Sequence, residues 1–267
     1  MVHYLAMVLA GVAVLAFAAI LLSLVREGMP AITWRFLAST SDGESGGIGM
    51  EIVNTAVMTG IALLVTAPLG LLVAIFQKDY AHRESREIGR MHATLLSAPT
   101  IVIALVIYRV AVGWWHWPVS VLTGCLVLSV INWPFMAALT SQAIAGVPDS
   151  YREASMALGA SKFETMTRVV LPAAMGRLID GWGLAFARLA GESAALIVTA
   201  GVNVSHNWSF LGPGETLAVH IWYIRTEGVA VNRDAQAAAT GIVLMAFITV
   251  VIWLAGRVAH LVGKGGT

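Results

Sequence analysis

Hydrophobic and polar positions alternate along this chain in long blocks rather than at helical or strand spacing. Val2 to Val25 contains no Asp, Glu, Lys or Arg, and neither does Ile52 to Gln77. Met91 to Pro148 carries one such charge, Arg109, and has the length of two spans hinged near Trp114-Trp115-His116-Trp117-Pro118. Gly181 to Gly201 and Ala235 to Gly256 complete the series. A helix crossing a bilayer core needs about 20 mainly apolar residues. The blocks therefore predict six membrane-spanning helices and an all-α protein. Span two contains Pro68 and span three Pro99. Proline in a membrane helix frees a carbonyl that neighbours or water must satisfy. Between spans one and two runs an outer loop ending in the polar stretch SDGESGGIG. An apolar segment, Leu217 to Ile224, predicts an interfacial or re-entrant helix before the last span.

Composition agrees with this reading. Of 267 residues, 58% are hydrophobic and 12% charged, and the mean hydropathy is +0.80. The first apolar block lacks a basic region before it and a small-x-small cleavage site after it, so it reads as a retained helix rather than a signal peptide. The net charge of +1 gives no footprint for nucleic acid. The single cysteine, Cys125, excludes a disulfide within the chain and reads as a buried thiol. Basic residues set the expected orientation. Ten of the 16 lie after span two, after span four and in the tail, and four lie on the other side. Basic residues concentrate on the cytoplasmic side, so both termini are expected in the cytoplasm. The remaining two, Arg109 and Arg188, fall inside spans.

The segment between spans four and five, SYREASMALGASKFETMTRVVLP, is too polar to span and too apolar to float free. Ser150 is followed three residues later by Glu153, and Ser161 by Glu164. Each pair fits a capping box, in which the serine oxygen takes an orphan amide and the glutamate reaches back. Gly159 sits where a left-handed turn would end the first helix, and Pro172 follows the second. Two short helices joined at Gly159 are predicted. Tyr151, Ala154 and Leu158 share a face of the first; Phe163, Met166 and Val170 share a face of the second. Such a hairpin is expected to lie against another surface.

Arg188 and Glu192 stand four residues apart within an apolar block. A central charge costs at least ~2.5 kcal/mol on insertion scales. On a continuous helix this spacing lets the two meet, although Arg before Glu is the weaker order. A guanidinium offers planar donors that match an oxyanion and keeps its charge at any relevant pH. Two readings stand: Arg188 lines an anion path with Glu192 as its alternate partner, or the two form a structural pair. Arg109, near the outer end of span three, snorkels to the interface or draws anions inward.

The chain contains no G-x-x-x-x-G-K-[ST], so it binds no ATP through a P-loop. It has no H-E-x-x-H and no cysteine-rich metal spacing, and its seven histidines are scattered. Sequence alone therefore gives no cofactor and no metal ligands. Gly191-x-Ser193 superficially matches an intramembrane serine protease, which needs a histidine at similar depth on another helix, and the closing span has none before His260 at its end. A stand-alone channel or secondary transporter has no need of the capped hairpin.

Glu153-Ala154-Ser155, Gly159-Ala160 and Val169-Val170-Leu171-Pro172 resemble, in residue and spacing, the cytoplasmic EAA loop of ABC-importer permease subunits, with Ser155 in place of an alanine. The stretches from Gly46, from Ser97 and from Arg188 are similar to phosphate-specific permeases of the PstA type. The similarity covers most of residues 46–260, with the hairpin at about 148–172. The family's glycine-glutamate motif lacks its usual proline here, reading Gly191-Glu192-Ser193-Ala194-Ala195-Leu196. The resemblance implies a type I importer permease fold in one transmembrane unit, residues 1–267, in a bacterial inner membrane. It implies a separate dimeric ATP-binding subunit contacted through Glu153, Ala154, Gly159, Leu171 and Pro172. It further implies a second permease of the PstC type and a periplasmic phosphate-binding protein; with phosphate as cargo, the candidate path residues are Arg188, Glu192 and Arg109. Phosphonate or sulfate are the alternative cargoes.

Overall fold

The structure is a computed structural model describing residues 2–40, 47–80, 85–202, 208–228 and 232–264. Among the described residues every regular element is helical. In chain order these are α1 (Val2–Gly28), α2 (Trp34–Ala38), α3 (Gly49–Ile75), α4 (Ser85–Ser97), α5 (Thr100–Tyr108), α6 (Val121–Ala145), α7 (Asp149–Ala157), α8 (Lys162–Thr165), α9 (Leu171–Ala190), α10 (Ala194–Thr199), α11 (Leu217–Glu227) and α12 (Arg233–Lys264). Five helical stretches are long and apolar enough to cross a membrane, and a sixth arises if the bent pair α4–α5 counts as one span. Most of the outer loop between α2 and α3 lies outside the described residues.

The core follows from which helices bury all their faces. α6 is central: 67% of its apolar window is buried, against none of that of α1. α6 packs on α3 and α9, α9 packs on α12, and α1 rests against α12. Without a hydrophobic force between helices in lipid, close backbone approach and buried hydrogen bonds hold such pairs. Both operate between α3 and α6. At Gly70 an added Cβ would lie 2.6 Å from Met136 Cγ and 3.0 Å from the Ala137 amide nitrogen, so only glycine permits the contact. One turn away, Asn132 Nδ2 donates to Thr66 Oγ1 at 3.1 Å, fully buried. Pro68 and Pro134 sit inside these two helices without ending them.

Two span expectations are corrected. Pro99 does not merely kink span three. It caps α5, and the axes of Gly89–Ser97 and Thr100–Trp114 differ by 94°. Proline bars its predecessor from helical backbone, so Ala98 ends the first limb. The limb that follows widens into a π-helical turn over Arg109–Trp114 and reverses at His116, φ 57°, near the expected tryptophan hinge. The fifth span is displaced as well. It runs without interruption from Lys162 to Ala190 and ends where the sequence places its middle. Gly191 terminates α9.

Candidate functional site

The hairpin forms at one end of the bundle. Its base is apolar: Met166, Val170, Ala174 and Leu178 are buried together with Ala74 of α3 and Ala143, Ile144 and Val147 at the end of α6. The turn is a complete Schellman motif. Gly159 takes φ +89°, its amide donates to the Met156 carbonyl at 2.9 Å, and the Ala160 amide donates to the Ser155 carbonyl at 3.3 Å. These are the bonds that satisfy the last carbonyls of a helix ended by a left-handed residue. Ser161 caps α8 in a full capping box: its Oγ accepts from the Glu164 amide at 3.2 Å, and the Glu164 carboxylate accepts from the Ser161 amide at 3.0 Å. Ser155 Oγ and Thr165 Oγ1, 2.9 Å apart, tie the two helices together.

Three details differ from expectation. Ser150 is no cap: α7 begins at Asp149 with Pro148 at its N-cap and no side-chain bond there. Glu153 is consequently exposed, and its carboxylate makes no hydrogen bond or ion pair among the described residues. Pro172 does not end the second helix. Its ring would collide with a carbonyl four residues back in a regular helix. The chain instead widens over Met166–Val170, where the Leu171 amide donates to the Met166 carbonyl five residues back, and continues into α9. The second limb of the hairpin is thus the first part of span five, one helix from Lys162 to Ala190. Leu171 is half-buried against the base cluster, while Ala154 and Pro172 are exposed.

The apolar face predicted for the hairpin divides in two. Met166 and Val170 are buried within the chain. Tyr151, Leu158 and Phe163 are 52%, 91% and 67% exposed, so they form an uncovered apolar tip.

The charged site in the bundle is arranged differently from the predicted pair. Arg188 lies on an exposed face of α9 with its guanidinium 4.7 Å from the Phe135 ring centroid on α6. Glu192 lies beyond the helix end. Its Oε1 accepts from the Ala195 amide at 3.3 Å, at the start of α10, and from Thr100 Oγ1 of α5 at 3.2 Å. Among the described residues no ion pair joins it to Arg188. The reason is Gly191: four-residue spacing brings side chains together only on an unbroken helix, and the break falls between them. Arg188 extends a stripe instead. Ala173, Arg177, Asp180, Leu184 and Arg188 recur at helical spacing and are all exposed. A span with three charges on one outward face does not suit lipid, where such residues face a partner or a water-filled cavity. Arg109 is exposed at the start of the π-helical turn that follows α5. It is brought together with neither Arg188 nor Glu192 by any hydrogen bond or ion pair among the described residues.

Sequence reasoning missed one polar cluster. Glu51 at the start of α3, Glu215, and His220 in α11 are each 1% exposed and meet at the end of α3 opposite the hairpin. Glu51 lies just after the predicted glycine-rich loop, and GPGET precedes the apolar α11. These two glutamates flanking apolar segments were the available signal. Their meeting is a tertiary fact: Asn54 and Glu215, which bond at 3.0 Å, are 161 residues apart in the chain.

An all-helical membrane bundle with a capped, apolar-tipped hairpin feeding one span is a transport subunit's architecture. Comparison with known proteins identifies which: the chain belongs to the binding-protein-dependent transport system inner membrane component family, whose model matches residues 67–264. A probable ABC transporter permease protein of Bacillus subtilis, YqgI, is 33% identical, with 86% of this chain and 84% of that protein covered. The phosphate transport system permease protein PstA 2 of Mycobacterium bovis is 32% identical, with 91% and 81% covered. Among solved structures, a chain of a bacterial alginate ABC transporter superposes with a TM-score of 0.71 at 14% identity, covering 97% of this chain and 94% of that one. A chain of the MetNI methionine ABC transporter gives 0.66 at 17% identity, covering 80% and 95%. These last two likenesses concern the fold, that of the type I importer permeases.

Proposed function

We propose that this chain is the membrane-spanning permease subunit of an ATP-driven importer of inorganic phosphate. A separate ATP-binding subunit docks on the hairpin tip, and a second permease covers the charged face of α9. The observation that carries the reading is the hairpin: a locally rigid turn exposes Tyr151, Leu158 and Phe163 beside an exposed Glu153, and continues without a break into span five. Closure of the ATP-binding subunits pulls on this tip, and the single helix from Lys162 to Ala190 carries the displacement to Arg188. Glu153, Ala154 and Gly159 meet the ATPase, whereas Leu171 and Pro172 set the angle at which the lever enters the span. The basic residues place the hairpin and both termini in the cytoplasm of a bacterial inner membrane, with a phosphate-binding protein docking on the opposite face.

Phosphate as cargo is supported by relatives that carry phosphate transport in their names. It is also supported by an exposed guanidinium within the span. Arg188, stacked on Phe135, is oriented without being neutralised. It offers an oxyanion two parallel donors, and among the described residues no carboxylate pairs with it. Glu192 is the positioning group that caps α10 and holds α5 beside it. The test is ATP-driven uptake of labelled phosphate into proteoliposomes carrying the assembled transporter. Arg188→Glu is expected to abolish uptake while the complex still assembles and hydrolyses ATP. Undiminished uptake by an assembled Arg188→Glu transporter overturns the assignment of the path.

A further inference from the structure

The buried cluster at the far end of α3 has no part in that reading. His220 Nδ1 lies 2.7 Å from Glu215 Oε1 and 3.9 Å from Glu51 Oε1. One ligand atom from each residue falls within 4.8 Å of the others. The surroundings hold the three in place. The Thr55 hydroxyl donates to the Glu51 carbonyl at 2.7 Å and accepts from the Leu217 amide at 2.9 Å. Asn54 donates to the Glu215 carbonyl at 3.0 Å and accepts from Trp208 Nε1 at 2.8 Å. Backbone and side chains on both sides are thus bonded, and His220 Nδ1 bonds to Glu215 Oε1, while one further polar atom of each residue is left over. Glu51 Oε2, Glu215 Oε2 and His220 Nε2 are buried and have no partner among the described residues. No Lys or Arg forms an ion pair with either carboxylate among those residues.

Two buried carboxylates with one imidazole leave charge unbalanced, and unpaired buried charge is among the costliest features a fold can carry. A divalent cation balances two carboxylates and leaves the imidazole neutral, the form in which it ligates. We infer that Glu51, Glu215 and His220 bind a divalent transition-metal ion, of which Zn²⁺ is the best match to a mixed imidazole and carboxylate set. Zinc ligand distances are about 2.0–2.2 Å and the geometry is tetrahedral, so two ligands of one ion stand about 3.3–3.6 Å apart. The three ligand atoms lie within 4.8 Å of one another, so side-chain shifts of about 1.5 Å or less bring them onto one ion. Bound there, the ion pins the first turn of α11 to the first turn of α3. It is a structural pin, enclosed in the bundle, and its role does not depend on which cargo the chain carries.

The experiment uses the full chain in detergent, stripped with a chelator and then titrated with Zn²⁺. Metal content is read by mass spectrometry and stability by thermal unfolding. The wild type is expected to take up about one ion per chain and to unfold at a higher temperature when loaded. His220→Gln is expected to weaken binding by more than the roughly 10–100-fold that loss of an outer-shell partner costs. Glu87→Gln, on exposed α4, is expected to change neither. Absence of saturable Zn²⁺ uptake and of any thermal shift in the stripped wild type overturns the inference and leaves a proton shared among the three groups. That arm decides the matter even if the His220 variant does not fold.

Discussion

Leu158 stands at the end of α7 with 91% of its surface exposed, and it belongs to no buried cluster among the described residues. Leu158→Ala therefore separates folding from docking. Within the isolated chain the change removes no packed contact, so stability should move by no more than ~0.5 kcal/mol, as for surface positions generally. If the tip inserts into a groove on the ATP-binding subunit, the same side chain becomes buried. Burying a leucine contributes about 1.5–3 kcal/mol. Its loss then weakens assembly by about 10–150-fold. The assay is titration of detergent-solubilised permease with the ATP-binding subunit, alongside thermal unfolding of the permease alone. Phe163→Ala should behave alike and somewhat more weakly, since Phe163 is already a third covered, at 67% exposed. Affinity unchanged within about twofold would place the docking surface elsewhere, since burial of even one leucine predicts more. A lowered unfolding temperature with unchanged affinity would mean that the tip packs within the chain.

Two further predictions address the scaffold. Gly159→Ala meets open space, since a Cβ there touches nothing within 4 Å, so its cost is backbone strain alone. That is about 1–2 kcal/mol, and Gly159→Asn should cost less because asparagine tolerates the left-handed region. Amide exchange across 149–165 should accelerate for alanine more than for asparagine, and equal rates would refute the turn's assignment. Gly70→Ala should destabilise by about 1–3 kcal/mol through overpacking against Met136 and the Ala137 backbone, read as a lowered unfolding temperature; a neutral result would mean that α3 and α6 separate readily.

The parts legible in sequence were those set by local chemistry. Ser161–Glu164 and Gly159 lie within a few residues of the atoms they satisfy, and both behave as the pattern predicts. The apolar blocks gave the spans because bilayer thickness sets a length. Failures occurred where a local rule had competitors. Ser150 fits a capping box as well as Ser161 does, but with Pro148 at the N-cap the helix starts two residues earlier. Pro172 ends a regular helix, yet a π-helical turn absorbs it. Arg188 and Glu192 were judged as neighbours on one helix, whereas Gly191 followed by Glu192 and Ser193 is itself a stop-and-restart signal. The Glu51, Glu215 and His220 cluster is non-local, and no window of sequence contains it.

The central claim is that the exposed tip of the hairpin receives the force of a separate ATP-hydrolysing subunit. It is tested most directly by replacing Tyr151, Leu158 and Phe163 together with serine and measuring ATP-driven phosphate uptake in proteoliposomes, with insertion of the chain verified. The account predicts that uptake falls to the level seen without ATP, while the ATP-binding subunit by itself retains its hydrolysis. Uptake at the wild-type rate from vesicles containing the triple variant would contradict it.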